Sequence, residues 1–243
     1  MRGEVMLLSR NIRIVGNDTE AWGCQVVTSD FNDGKEARMG RTYLDFVEIY
    51  NCSQFDTYKA SLRFEGVGLS WSMVSNSAIH HGLGMGITFL NSRNVHLVNN
   101  NVFDFVRYGI NIDSSRNITL DGNWVFTILS RHLKVTSAGD PMGAILGCAN
   151  KIGDRCFDIK IFNNIAGGVE PSTVDAPAYS VMGHKCGDYE NSGFKNNIGH
   201  SVTQYGAIIF RNNSDDSSDN CVEASNFIAY KCGIAGVVSN QAT

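Results

Sequence analysis

The feature that most constrains this chain is a repeat of 23 residues: Ser92-Arg93-Asn94-Val95-His96-Leu97 is followed at that step by Ser115-Arg116-Asn117-Ile118-Thr119-Leu120. Gly86-Ile87 recurs as Gly109-Ile110 at the same interval, and Ile79, Phe103 and Phe126 follow one another at 24 and 23 residues, as do Asn76, Asn100 and Asn123. Within the repeat, apolar residues alternate over short runs, as in Val95-His96-Leu97 and Ile110-Asn111-Ile112, which is the period of a strand and not of a helix. A unit this short offers about three strands and cannot bury its own apolar face. Stacked on copies of itself, it buries Val95, Leu97, Ile110 and Ile112 in a continuous interior column. The pattern predicts an all-β fold, a right-handed parallel β-helix with inserted loops, occupying residues 1–243 as one domain.

Asparagine at matching positions in successive coils has a physical reason. It tolerates the left-handed backbone of tight turns, and stacked amides can hydrogen-bond from coil to coil. Downstream the period loosens, yet Ile161-Phe162-Asn163-Asn164-Ile165, Phe194-Lys195-Asn196-Asn197-Ile198 and Ala224-Ser225-Asn226-Phe227-Ile228 repeat one pattern. The longer steps predict loops, the largest at 130–156 and 166–190, where a solenoid usually carries recognition. Upstream, Leu7 to Ile14 and Tyr43 to Ile49 read as further strands. At about 4.8 Å between stacked strands, roughly ten coils would make a rod on the order of 50 Å long. Both ends of such a rod expose sheet edges, so neighbouring domains of the same protein, or copies of the chain, are expected to cover them. The chain therefore reads as a fragment of a larger multidomain extracellular protein.

The net charge of −4, without a long run of Lys or Arg, argues against nucleic acid or an anionic membrane as a partner. No stretch has the apolar length of a membrane span. Seven cysteines, none in a Cys-x-x-Cys pair, favour disulfides over zinc. Cys148 with Cys156 and Cys221 with Cys232 are placed to close short loops, and Cys24 with Cys52 to link neighbouring coils; Cys186 is the seventh. Sequons begin at Asn17, Asn51, Asn117 and Asn212 and fit a glycoprotein of an oxidising compartment.

Several segments carry a resemblance. Gly3-Glu4-Val5-Met6-Leu7-Leu8-Ser9-Arg10-Asn11-Ile12, Asn51 to Ala60, Ala78-Ile79-His80-His81-Gly82-Leu83-Gly84 and Gly183-His184-Lys185-Cys186-Gly187-Asp188 resemble the fibrocystin and fibrocystin-like surface-protein family, over nearly the whole chain. The resemblance implies a β-helix from a very large glycosylated protein of the cell surface, often of cilia or cell coats, which also carries G8 and immunoglobulin-like domains. More distant relatives with the G8 and β-helix arrangement bind or degrade hyaluronan, which gives a glycan-directed role a hearing.

Candidate chemistry is sparse. A glycosidase needs two carboxyl groups about 5 to 10 Å apart, one with a raised pKa. Asp104 and Asp121, or Asp113 beside Arg107, could serve with His80 or His81, but no spacing compels it, and turn-capping aspartate is the ordinary role. A lyase would hold calcium through acidic oxygens. Ser214 to Asp219 is an acidic patch that could bind calcium but lacks the loop signature of a calcium site; no cofactor is expected, with calcium there as the alternative. His184 beside Cys186 and Asp188 lacks a complete ligand spacing. The leading expectation is a non-enzymatic structural and recognition segment with protein or glycan ligands at its loops. A hyaluronidase-like or lyase-like enzyme and a self-assembling filament subunit are the alternatives.

Overall fold

In a computed structural model the chain is described over residues 5–17, 22–54, 57, 59–129, 142–148, 156–170, 176–182, 193–210 and 224–240. The strands form three parallel sheets that the chain visits in turn. Sheet I contains Ile12–Val15, Val47–Tyr50, Ala78–His80, Asn101–Val106, Trp124–Leu129, Ile165–Glu170, Ile198–Val202 and Ile228–Cys232. Sheet II begins with Val26–Ser29 and Leu62–Glu65, passes through Ile87–Leu90, Tyr108–Asp113 and Gly143–Gly147, and ends at Ala235–Asn240. Sheet III runs from Tyr43–Asp45 through Arg93–Val98, Arg116–Asp121 and Phe157–Phe162 to Gly193–Lys195. Each strand pairs with the equivalent strand one coil away, which makes the fold a right-handed parallel β-helix.

Among the described residues sheets I and II have eight strands each, so the described stack holds eight coils where about ten were expected from the repeat. The shortfall lies in the register steps: 23 residues where the repeat is clean, but 35 from Arg13 to Glu48 and 41 from Asn123 to Asn164. Part of the first long coil is an antiparallel hairpin, Phe31–Asn32 with Ala37–Arg38, closed at Gly34 (φ 84°). The expected loops at 130–156 and 166–190 are corrected too. They contain strands Gly143–Gly147, Ile165–Glu170 and Tyr179–Met182, all integral to sheets I and II.

The interior is filled by in-register columns. Leu44, Val74, Leu97, Leu120, Ile161 and Phe194 line sheet III, while Leu62, Ile87, Ile110, Ile145 and Tyr179 line sheet II. Phe64 and Phe89 stack with centroids 5.1 Å apart. Deleting one such buried side chain typically costs about 2–5 kcal/mol.

The corner between sheets III and I explains the asparagines. Each turn puts one residue in the left-handed region, at Phe46, Asn76, Asn99, Gly122, Asn163, Asn196 and Asn226, and in the middle coils the next residue is an inward Asn. Asn76 is thus an outer turn residue, and the buried ladder runs Asn100–Asn123–Asn164–Asn197. The Asn100 amide nitrogen donates to Asn123 Oδ1 at 3.0 Å, Asn123 to Asn164 Oδ1 at 3.0 Å, and Asn164 to Asn197 Oδ1 at 3.1 Å. Ser77 replaces the amide upstream and Phe227 downstream. Phe46 also explains why the strand expected at Tyr43 to Ile49 is two strands, on sheets III and I.

Candidate functional site

The exterior of sheet I departs from simple alternation. His81, Asp104, Thr127, Gly168, Ser201 and Lys231 all have φ between 51° and 62°. Phe103 pairs with Phe126 and Phe105 with Ile128, so Asp104 and Thr127 are extra residues between them. A bulge of this kind puts two successive side chains on the outer face before the strand returns to the core. Repeated from coil to coil, it creates two outer rows.

The first row runs, in register, Tyr50, His80, Phe103, Phe126, Gly167, His200 and Tyr230. Tyr50 meets His80 edge-on at 5.2 Å, Phe126 meets His200 at 5.2 Å, and His200 stacks on Tyr230 at 4.6 Å and 5°. Gly167 is what allows the middle contact. A Cβ there would lie 2.1 Å from the His200 carbonyl oxygen and 3.1 Å from Phe126 Cε1.

At the upstream end the rows meet charge. Glu48 accepts from the Arg10 backbone N–H at 3.0 Å and from the Arg13 guanidinium at 2.9 Å, and its side chain is 3% exposed. Burial pushes its carboxyl pKa up, but those two donors and the Arg13 charge outweigh it and hold the group below its ordinary value. His80 Nε2 lies 3.5 Å from Glu48 Oε1, and His80 Nδ1 lies 2.7 Å from His81 Nδ1. Burial, then the neighbouring His81, push the His80 pKa down against the pull of Glu48. His81 Nε2 in turn is 3.8 Å from Asp104 Oδ2. The result is a carboxylate–imidazole–imidazole–carboxylate chain across three coils. It is poor equipment for acid catalysis, because its buried carboxyl is held ionised where a glycosidase acid needs a raised pKa.

Of the residues singled out in the sequence, this cluster unites His80, His81 and Asp104. Asp113 and Asp121 lie elsewhere: Asp113 ends a strand of sheet II, and Asp121 ends one of sheet III, where it accepts from Asn163 Nδ2 at 2.7 Å. The carboxylates Asp104, Asp113 and Asp121 therefore do not converge. Glu48, Arg13 and Tyr50 were not singled out, because the step of 35 residues that joins Arg13 to Glu48 belongs to the irregular first coil. A lone acid within the apolar run Phe46-Val47-Glu48-Ile49 was the available signal.

Among the sequons, Asn17 is exposed, and Asn51 (φ 57°) and Asn117 (φ 51°) are half-buried. The Asn117 amide donates to Asn94 Oδ1 at 2.8 Å. Cys24 is bonded to Cys52, joining the first and second coils, and Cys148 to Cys156, closing the corner from sheet II to sheet III. Cys232 is a free thiol among the described residues, and its candidate partner Cys221 lies outside them. Cys221, Asn212, His184, Cys186, Asp188 and the acidic patch 214–219 lie outside the described residues. Among the described residues no three His, Cys, Asp or Glu side chains are grouped to hold a metal ion, and no helix is long and apolar enough to cross a membrane.

The coil geometry defines a class, and comparison with known proteins agrees. Residues 10–149 match the family model described as a right handed beta helix region, and the chain belongs to that family. Within it, the chain is similar to fibrocystin. It is 27% identical over 231 residues to fibrocystin of Canis lupus familiaris and 29% identical over 231 residues to fibrocystin of Mus musculus. Each match covers 95% of this chain and 5% of the relative, so the chain spans about a twentieth of the length of these curated relatives.

Proposed function

We propose that this chain is a non-enzymatic structural and recognition segment of a fibrocystin-like protein of the cell surface, with the cilium among its locations. In this reading it serves as a rigid rod between neighbouring domains, with its lateral faces open to glycan or protein ligands. The two disulfides favour an oxidising, extracellular setting. The observation that carries the reading is the in-register outer row of sheet I, in which the rings of Tyr50, Phe103, Phe126 and Tyr230 keep open surface, carried on a stack tied coil to coil by the asparagine ladder. A rigid row of aromatic surfaces suits binding at low entropic cost.

The test compares the disulfide-intact chain with hyaluronan and a panel of uronate polysaccharides, with and without calcium, by size-exclusion chromatography. Intact polymers after prolonged incubation are expected. Shortened polymers, protected by His80→Ala or Asp104→Asn, would overturn the reading in favour of a glycan-cleaving enzyme.

A further inference from the structure

Away from sheet I, beside the corner between sheets II and III, lies a cleft of about 580 Å³ lined by Arg93, Arg116, Phe157, Asp30, Gly68 and Asn91 among others. Arg93, Arg116 and Phe157 hold the same register position in three successive coils. Their backbones are therefore about 4.8 Å apart per step, and two like charges stand side by side. Neither guanidinium has a hydrogen-bond or ion-pair partner among the described residues. Asp30, the carboxylate in the lining, is already engaged: Oδ1 accepts from Gly40 N–H at 2.8 Å, and Oδ2 from Gly68 and Leu69 N–H at 2.9 and 3.1 Å. Asp158, one residue after Phe157, faces Lys160 at 3.4 Å.

Arg93 is held in place. A Cβ on Gly68 would come within 2.5 Å of Arg93 Nε and 3.2 Å of Cζ, so the guanidinium lies against the Gly68 backbone, and Arg93 is half-buried. Arg116 is exposed, and Phe157 keeps 49% of its surface open. The cleft thus offers two adjacent cations and one apolar ring, aligned along the rod. Guanidinium groups take carboxylates and sulfates in paired hydrogen bonds, and an exposed ring takes an apolar face.

We infer that the Arg93–Arg116–Phe157 cleft is a binding site for an acidic polysaccharide, whose carboxylate or sulfate groups pair with the two arginines while a sugar ring packs on Phe157. A polymer with anions at regular intervals and apolar ring faces fits this column better than an acidic peptide, which brings charge without the ring face. The site rests on the recognition reading above and gives it a ligand class. The net charge of −4 makes a local cationic column the place where such a polymer would approach this protein.

Affinity electrophoresis of the disulfide-intact chain through gels containing hyaluronan, heparin, poly-glutamate or neutral dextran tests the inference. The two acidic sugars separate a carboxylate ligand from a sulfate ligand. Retardation by at least one of them, absent with dextran and weakened by salt, is expected. Arg93→Gln and Arg116→Gln should each weaken it by about tenfold, the scale of a charged hydrogen bond. Gly68→Ala, which keeps every charge but displaces the Arg93 guanidinium, should weaken it with little change in melting temperature. Lys59→Gln, an exposed cation on the Trp22 ring, should leave it unchanged. Unchanged retardation in both arginine variants would overturn this site while leaving recognition elsewhere on the rod intact. Equal retardation by poly-glutamate would overturn the polysaccharide assignment, and the absence of retardation by either acidic sugar would overturn the site altogether. Cleavage of the polymer is read separately, by its size, and bears on the proposed function.

Discussion

At the scale of single residues, the ladder amides are the points where one substitution does most. Asn123 is fully buried. Its Oδ1 accepts from the backbone N–H and side-chain amide of Asn100, and its own amide donates to the Leu97 carbonyl and Asn164 Oδ1. Asn123→Ala leaves several of these partners without a bond in a dry interior, each costing about 1–3 kcal/mol. A loss of at least about 3 kcal/mol in urea-induced unfolding is expected, with little change from Asn226→Gly, which keeps the turn at an exposed position. His80 makes a second prediction. Its pKa in the folded chain is below the ordinary 6.5, so the unfolded chain binds the proton more readily. Stability is then full above about pH 6.5 and declines as pH falls through that value toward the folded pKa. The melting temperature should drop between pH 7.5 and 5.5, and His80→Phe should flatten that slope. Glu48 acts lower: its folded pKa is also depressed, from 4.5, so its contribution is lost only below that value.

At the scale of elements, Gly167 tests whether the outer row of sheet I is an integral part of the coil. An added Cβ meets the His200 backbone carbonyl, which cannot swing aside as a side chain would. Gly167→Ala is expected to cost about 1–3 kcal/mol by forcing the coils apart, measurable by chemical denaturation. It should also part Phe126 from His200, seen as a shift of the His200 ring signals in NMR. Elements were also where the sequence was most and least legible. The alternation at Val95-His96-Leu97 and the step from Asn100 to Asn123 announced stacked strands, because one clean period served every coil between Ala78 and Leu129. Gly143–Gly147 was hidden, since GAILG is a continuous apolar run without alternation, buried on both faces. The bulge row escaped notice because an extra residue in every coil leaves the 23-residue period unchanged while moving His81 and Asp104 to the outside. The candidate cluster was half legible for the same reason: His80 and His81 stand out as a pair, whereas Glu48 and Arg13 join them only through a register that the hairpin at Phe31–Arg38 lengthens.

At the scale of the molecule, a rod of coils behaves as a one-dimensional array in which each coil depends on its neighbours and the last has half the contacts. The upstream end of the described stack is where a covalent link has been added. Cys24–Cys52 ties the first coil to the second across 28 residues, while Cys148–Cys156 closes a separation of only 8. By loop-closure entropy the first bridge contributes about 3.6 kcal/mol and the second about 2.5 kcal/mol. The longer bridge also stands where, among the described residues, the first coil pairs with one neighbour and Ile12 and Val15 are 62% and 52% exposed. Replacing Cys24 and Cys52 together by Ser should therefore fray the stack from this end without dissolving it. Hydrogen exchange should speed up by at least about tenfold at Ile12–Val15 and Val26–Ser29, while Asn101–Val106 and Trp124–Leu129, with coils on both sides, keep their protection. Replacing Cys148 and Cys156 should instead loosen amides near Gly143–Gly147 and Phe157–Phe162. If the Cys24 and Cys52 variant lost protection uniformly, the coils would unfold as one cooperative unit, and fraying from this end would be excluded.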